Sequence, residues 1–287
     1  MKYLTLTLSM VGILMLSAYS PPKKKNDKKF AIKTIDKQMR LVSDNLYASA
    51  YEVSNSDYKF FLGNVSKVCS EIEDVTDLLP DTSAWTNLGN PPFLQAMVDN
   101  YFSHPAYANY PINNITSPQA GTYCDWLTKK YNSSEKRKYR KVQFRLPSEE
   151  EWILAARGGL DMADYPHGNI YLRNTKGNYL YNFLAIRESY LSRDTESGEI
   201  IIVKDKLGNE CVNNNIHFTS PVDLYWPNEF GLYNMSGNVA EMVKEEGIAK
   251  GGSFNDPGYD IRIQSVKIYD KADPRIGFRV FMEVIKE

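Results

Sequence analysis

The sequence predicts an α+β fold made of short helices, short strands and long loops. Three observations predict it: an abundance of Tyr (20), Gly (17) and Pro (14) among short apolar runs, three separate helix-start signals, and a change of pattern after Gly159. Glycine and proline favour turns, and tyrosine rings cover surfaces that are partly wet. A plain helical bundle is therefore not expected.

Three helices are predicted from their N-terminal residues. The segment 54–57 places a serine and an aspartate three residues apart before an apolar run, which is a capping-box pattern. Ser117 is predicted to cap a second helix, with Pro118 at its first position and apolar residues following at helical spacing. A third helix is predicted after Ser148, with acidic residues in its first turn and Gly158 at its end.

Strands and loops are expected beyond Gly159, where short apolar pieces are broken by Gly, Pro and Asn. The segments 200–203 and 275–284 are apolar and rich in β-branched or aromatic residues, which predicts two strands. Most of 161–225 is predicted to form long loops. Loops of this length normally carry function or need support from the rest of the fold.

Composition excludes one broad class of function. The 287 residues are 43% hydrophobic and 24% charged with a formal charge of -1, so the chain can bury a sizeable core. Phosphate backbones require a concentrated basic surface, and the near-neutral balance of this chain offers none. Nucleic acid is therefore not expected as a partner.

Cysteine and histidine patterns give no local metal or disulfide motif. The three cysteines have no CxxC spacing and allow at most one disulfide, whose existence the sequence leaves open. The three histidines lack the i, i+4 spacing of metal proteases, which indicates surface or loop positions. Cys124 falls on an apolar helical stripe and is predicted to be buried. The residues concerned are Cys69, Cys124, Cys211, His104, His167 and His217.

The N-terminal region has the layout of an export signal. Residues 1–20 combine a basic start, a short apolar run and a small-residue end, which is typical of a secretory signal peptide. The segment resembles a bacterial lipobox, but Tyr19 stands where the lipidated cysteine would be. Residues 21–45, rich in Lys and Pro at their start, are predicted to form a tether, with an ordinary solvated tail as the alternative, and 46–287 the folded domain. The sequence therefore predicts an exported protein, with an uncleaved N-terminal anchor as the alternative. The lipobox-like end favours the bacterial cell envelope, periplasmic or associated with the outer membrane, with peripheral membrane association as an option.

Successive blocks from Tyr47 to the C terminus resemble the formylglycine-generating (sulfatase-modifying factor) family, in the family's order. Each block is short, but their joint occurrence is specific. The blocks are Tyr51 to Tyr58 (E-V-T-N-x-x-Y), Tyr110 to Leu127, Phe144 to Gly159 (R-L-P-T-E-A-E-W and A-A-R-G-G), Tyr165 to Gly168, Pro227 to Met242 (G-L-Y-D-M-x-G-N-V-W-E-W), Lys250 to Phe254 and Gly277 to Arg279.

The resemblance implies a C-type-lectin-like α+β fold and raises a question about activity. Enzymes of this family oxidise a cysteine of a client sulfatase to formylglycine, with copper(I) held by two cysteines after the G-G-S-W block. At the matching positions this chain has Asp256 and Ile261, and no cysteine follows Cys211. Soft thiolates are the ligands that copper(I) needs, so no copper is expected here. The resemblance therefore implies a pseudoenzyme.

Calcium is the cofactor that the resemblance still implies. In the family the G-N-V-W-E turn wraps a structural calcium, and the matching oxygen-bearing side chains here are Asn238 and Glu241. Calcium prefers such hard oxygen ligands. The family's other calcium site matches only Asn182. Its acidic partner stays open among Asp194, Glu196, Glu199 and Asp205.

Three functions are compatible with these observations. The first is a non-catalytic binding or assembly module of the bacterial cell envelope that holds a protein or glycan partner, as related lipoproteins of secretion and gliding machineries do. The second is an enzyme of formylglycine-generating type with displaced or different chemistry. The third is a scaffold with a structural role at the cell surface. One fold hosts many sites, so the fold alone does not choose among them.

Overall fold

The computed structural model describes residues 31–89, 94–168, 170–185, 191–202 and 218–286. In these ranges short helices and two four-stranded sheets alternate with long loops, and a separate pair of strands forms a hairpin. No helix among these residues is both long and apolar enough to cross a bilayer. The α-helices are α1 (Ile32–Gln38), α2 (Asn55–Leu62), α3 (Val65–Val68), α4 (Leu94–Asn100), α5 (Ser117–Asn132) and α6 (Glu149–Arg157). Short 3₁₀ helices span Thr76–Leu78, Thr82–Leu88, Pro105–Tyr107 and Gly258–Ile261.

The strands bring distant parts of the chain together. The first sheet has the order β1-β2-β10-β3 and is antiparallel throughout, so β10 lies between two strands from the first half of the chain. The second sheet has the order β8-β7-β6-β9, in which β6 and β9 are parallel. The strands are β1 (Met39–Ser43), β2 (Leu46–Ser49), β3 (Lys141–Arg145), β4 (Leu191–Arg193), β5 (Ile200–Ile202), β6 (Ala240–Met242), β7 (Ile248–Lys250), β8 (Val266–Ile268), β9 (Ile276–Gly277) and β10 (Phe281–Lys286).

The first sheet is covered by helices on both faces. Neighbouring side chains of a strand point to opposite faces, and in β10 Phe281 and Met282 are both fully buried. Met282 packs in the cluster that contains Trp126 of α5. Phe281 packs in a separate cluster with Trp152 of α6. The fold is therefore layered helix, sheet, helix, and the α+β prediction is confirmed.

Helix starts follow the predicted caps in two of three cases. Ser54 and Ser148 both form capping boxes, and α6 stops at Gly158, which adopts the left-handed conformation with φ of 61°. The predicted cap of α5 is wrong by one residue. Thr116 is the N-cap there, because its backbone N–H donates to the side chain of Gln119, three residues on, at 2.7 Å.

The predicted tether is partly folded. Within 21–45 the structure places α1 and β1 against the domain, and β1 pairs with β2. Ile35 and Met39 are buried in the same cluster as α5, and Val42 is buried in the cluster on the other face of the sheet. The predicted boundary at residue 46 therefore falls inside the folded domain, because sparse apolar residues among many charges concealed a helix and an edge strand.

The two predicted strands are present but short. The segment predicted at 200–203 contains β5, which pairs with β4 as a hairpin. The segment predicted at 275–284 contains β9 and the first residues of β10, which belong to different sheets. The break between them carries Phe278 and Arg279, both fully buried. This break joins the two sheets and sets the position of the Arg279 side chain.

Candidate functional site

The turn after β7 leads to the first of the two positions where the family resemblance implies a cysteine. Gly251 and Gly252 have φ values of +84° and +62°, in the left-handed region that favours glycine. A side chain on Gly252 would place its Cβ 2.6 Å from the carbonyl oxygen of Asp260. Ser253 follows and is fully buried, and its N–H and Oγ–H donate to Asp256 Oδ2 at 2.8 and 2.6 Å. The turn therefore fixes the Asp256 carboxylate from one side.

Lys267 fixes Asp256 from the other side. Its Nζ lies 2.6 and 2.7 Å from the two carboxylate oxygens, and only 14% of the Asp256 side chain and 17% of the Lys267 side chain are exposed. Lys267 lies on β8, which pairs with β7 opposite Ala249. An ammonium beside a carboxylate satisfies its charge within the protein. A closed ion pair thus occupies the first position.

Ile261 occupies the second position as part of the core. It ends the 3₁₀ helix Gly258–Ile261 and is fully buried. Its side chain belongs to an apolar cluster with Tyr165, Tyr181 and Phe183. An aliphatic carbon in such a cluster offers no lone pair. Neither of the two positions carries a ligand for copper(I).

The described thiols lie elsewhere in the fold. Cys69 follows α3 and Cys124 belongs to α5, and both are buried in the large cluster against the first sheet, whereas Ile261 belongs to a different cluster. Burial raises the pKa of both thiols, which keeps them protonated. Cys211 lies outside the described residues. The prediction that Cys124 is a buried apolar residue is confirmed.

The described histidines have local partners. His104 is exposed at the start of a 3₁₀ helix, where its Nδ1 accepts a hydrogen bond from the N–H of Ala106. His167 is partly buried, with its Nδ1 2.9 Å from the hydroxyl of Tyr181, and burial lowers the pKa of its imidazole. His217 lies outside the described residues. Within the part of the chain that the structure describes, no group of three or more His, Cys, Asp or Glu residues is arranged to hold a metal ion.

Glu241 on β6 forms a buried ion pair. Arg279 Nη2 donates to its Oε1 at 2.6 Å, Arg279 Nε lies 3.1 Å from both carboxylate oxygens, and Trp152 Nε1 donates to Oε2 at 2.8 Å. The remaining Arg279 donors bind the carbonyl oxygens of Ser49 and Tyr233. Arg279 and Glu241 are almost completely buried. This cluster ties α6, β2 and both sheets together.

Asn238 belongs to a second buried network, centred on Glu52. Its Oδ1 accepts from the N–H of Ser220 at 2.7 Å and from Asn182 Nδ2 at 3.3 Å, and its Nδ2 donates to Glu52 Oε1 at 2.8 Å. Asn234 Nδ2 donates to the other Glu52 oxygen at 2.8 Å. Burial is the main cause that raises the pKa of Glu52 to about 8. Asn234 and Asn238 therefore hold a carboxyl group in the interior, and Asn182 contacts Asn238.

The predicted calcium ligands do not converge. Asn182 and Asn238 are in contact, whereas Glu241 faces Arg279 and Trp152, and both of its carboxylate oxygens accept hydrogen bonds from them. A calcium ion needs several oxygen ligands and repels a guanidinium. With this packing, Asn238 and Glu241 do not fit a shared calcium site.

Sequence reasoning missed the partners of these residues. Lys267, Glu52 and Arg279 lie 11, 186 and 38 residues from the side chains that they bind. Such separations carry no local spacing signal, because the tertiary fold brings the groups together. One signal for them was available in the sequence: Glu52 and Arg279 both lie within the blocks that carry the family resemblance.

The fold and these sites define a sulfatase-modifying factor-like domain without the thiolate pair of a copper oxidase. The family model for the "Sulfatase-modifying factor enzyme 1-like domain" matches residues 23–284. The chain belongs to this family. The match begins at residue 23, within the segment that the sequence predicts as a tether.

Individual relatives are distant. The chain is 27% identical to the formylglycine-generating enzyme of Mus musculus over 223 residues, which are 72% of this chain and 50% of that enzyme. It is 27% identical to "Inactive C-alpha-formylglycine-generating enzyme 2" of Mus musculus over 171 residues, 59% of this chain and 41% of that protein. The structure of PvdO from Pseudomonas aeruginosa covers 83% of this chain and 80% of its own at 18% identity and a TM-score of 0.49. The chain spans about half the length of the first curated relative.

Proposed function

We propose that this chain is an exported, non-catalytic member of its family that serves as a binding or assembly module of the bacterial cell envelope. The proposal rests on the residues at the two positions where the family resemblance implies cysteines. Asp256 is closed by Lys267, and Ile261 is buried in the core. A folded domain that keeps the family's scaffold without its copper ligands retains surfaces for recognition.

The missing thiolates matter because of the chemistry that they supply. Copper(I) is bound by soft sulfur ligands, and an ion-paired carboxylate and an aliphatic side chain provide none. The described thiols, Cys69 and Cys124, are buried in a different cluster from Ile261, and burial raises their pKa values. A relative whose name begins with "Inactive" indicates that the family includes members without the activity.

Export and location belong to the same proposal. Residues 1–20 have a signal-peptide layout, and Tyr19 replaces the cysteine that a lipidated protein would need. Both features lie outside the described residues. They support delivery to the periplasm or to the outer membrane, where a protein or glycan partner would be held.

The direct test is a reaction with a cysteine peptide. Purified protein is incubated with copper, oxygen and a peptide that carries a sulfatase-type cysteine, and the peptide is weighed by mass spectrometry. We expect no conversion to formylglycine above a control without protein. Conversion by the unaltered chain would contradict the proposal and favour the alternative, an enzyme with displaced chemistry.

A double variant serves as the matched positive control. Asp256→Cys with Ile261→Cys restores sulfur at both positions, and we expect this variant to gain copper(I) binding, measured by competition with a chromogenic chelator. Asp256→Ser with Ile261→Ala removes the same side chains without adding sulfur and should bind no copper(I). Equal copper binding by both variants would show that these are not the positions of the pair.

A further inference from the structure

An apolar groove lies beside the residues that replace the cysteine pair. It has a volume of about 390 Å³, and Leu172, Phe183 and Ala185 line it together with Gly258. Gly258 opens the 3₁₀ helix that ends at Ile261. A side chain on Gly258 would place its Cβ 2.4 Å from Leu172 Cδ1, so the glycine keeps the two walls close. The groove is therefore a built feature of this part of the fold.

One arginine stacks on a tyrosine ring in this groove, and a second stacks on the tyrosine that follows Gly258. The Arg173 guanidinium lies 3.5 Å from the ring centroid of Tyr179, and both residues line the groove. The Arg262 guanidinium lies 3.5 Å from the ring centroid of Tyr259, which directly follows Gly258. Stacking holds a guanidinium in place while leaving its in-plane donors available for an acceptor.

Neither arginine forms an ion pair with a residue of the described part of the chain. Arg173 donates to the carbonyl oxygen of Gly177, and Arg262 donates to that of Tyr259. No carboxylate of a described residue lies within 4.0 Å of either guanidinium, and this includes Asp260, which is exposed in the same 3₁₀ helix. Two ordered cations that pair with no carboxylate of a described residue fit an acidic partner.

Apolar and aromatic side chains are exposed beside the arginines. Ile170 is 72% exposed and Tyr259 is 69% exposed. Tyrosine and arginine are the residues that dominate the binding energy of protein interfaces, particularly around an apolar pocket. The groove walls also include Ile170, Leu172 and Phe183, which favour an apolar side chain as the occupant.

We propose that this groove binds an acidic peptide segment of a partner protein, with an apolar side chain in the groove and carboxylates on Arg173 and Arg262. The inference rests on the proposed function as a binding module and names the place and the chemistry of the binding. Recognition of acidic segments by arginine pairs is an established mode of peptide binding. The apolar walls would bind an apolar side chain of the peptide, which adds buried contact area to the charge pairs.

The test uses synthetic peptides as probes. A fluorescent dodecapeptide with a central Phe-Leu pair flanked by glutamates is titrated with the full chain, and a second peptide has lysines in place of the glutamates. We expect the acidic peptide alone to bind, with an affinity that falls as salt rises. Arg173→Glu and Arg262→Glu should each weaken binding at least about tenfold.

Two further variants keep the result interpretable. Arg140→Glu makes the same charge change at an exposed arginine outside the groove and should leave binding unchanged. Arg173→Lys keeps the charge but removes the planar fork and should weaken binding less than Arg173→Glu does. Circular dichroism of each variant establishes that it is folded.

The outcomes separate this inference from the proposed function. Binding of both peptides alike, binding unaffected by the charge reversals, or binding of a sulfated glycan in place of the acidic peptide would overturn the groove assignment. None of these results would bear on the copper test, which addresses catalysis. If the chain produced formylglycine and still bound the acidic peptide, the proposed function would be overturned, but the assignment of the groove as a peptide site would hold.

Discussion

Glu52 is the residue whose environment makes the clearest prediction about pH. Burial raises the pKa of its carboxyl to about 8, whereas the usual value is 4.5. Between these pH values the folded chain keeps the proton and the unfolded chain has released it, so the free energy of unfolding falls as pH rises. This contribution is complete below about pH 4.5 and lost by about pH 8, with a slope of up to about 1.4 kcal/mol per pH unit.

The variant Glu52→Gln should remove that slope. Glutamine has a similar shape and does not titrate, so the fall of the free energy of unfolding between pH 5 and pH 8, measured by urea denaturation, should disappear. The rise that comes from His167, whose pKa burial lowers, should remain. Glu150→Gln, at an exposed glutamate of α6, should retain the slope of the unaltered chain. Identical profiles for the unaltered chain and Glu52→Gln would show that Glu52 is ionised in the folded state.

Residue identities at the candidate site were largely predictable from the sequence, but their partners were not. The replacement of both expected cysteines follows from counting after Gly252. The ion pair of Asp256 with Lys267 depends on the pairing of β7 with β8, and the buried pair of Glu241 with Arg279 depends on the parallel pairing of β6 with β9. Neither pairing leaves a local pattern.

At the scale of elements, the helix starts make a second prediction. Ser148 caps α6: its Oγ accepts the N–H of Glu151, and the Glu151 side chain accepts the N–H of Ser148. Ser148→Ala should destabilise the fold by about 1 kcal/mol, because the N–H of Glu151 at the half-buried start of the helix loses its acceptor. Urea denaturation measures the loss. Ser66→Ala, at an exposed serine inside α3, should change stability by less than about 0.5 kcal/mol, and equal losses would remove capping as the cause.

Helices were easier to predict than strands for a physical reason. A cap and its first turn lie within four residues, so Ser54 and Ser148 could be identified directly. The strands have two to six residues and pair across the whole chain, as β10 does with β2. Their stability comes from the partner strand and from the helices on each face, and neither is visible in a short segment.

At the scale of the whole molecule, the N-terminal elements close the first sheet. β1 forms its edge and pairs with β2, while Ile35 of α1 and Met39 of β1 pack against the cluster that contains α5. An edge strand left unpaired is a site for aggregation. The elements between residues 32 and 43 thus act as part of the domain, which explains why the predicted tether was too long.

The last prediction concerns calcium and the stability of the whole domain. The family resemblance implies that chelation lowers the melting temperature, since a ligand bound only by the folded state stabilises it. The packing predicts that chelation has no effect, because Arg279 already pairs with Glu241 and hydrogen-bond donors already bind Asn238 Oδ1. We therefore expect the same melting temperature, measured by calorimetry, in excess calcium and in excess chelator.

Two variants test whether the ion pair of Glu241 with Arg279, and not calcium, stabilises this part of the fold. Arg279→Met leaves a buried carboxylate without its partner and should cost about 3–5 kcal/mol. Glu241→Gln with Arg279→Met removes both charges and should be less destabilising than the single change. A calcium-dependent melting temperature in the unaltered chain that disappears in Glu241→Gln would show instead that Glu241 binds the ion, and that the pairing with Arg279 gives way when calcium is present.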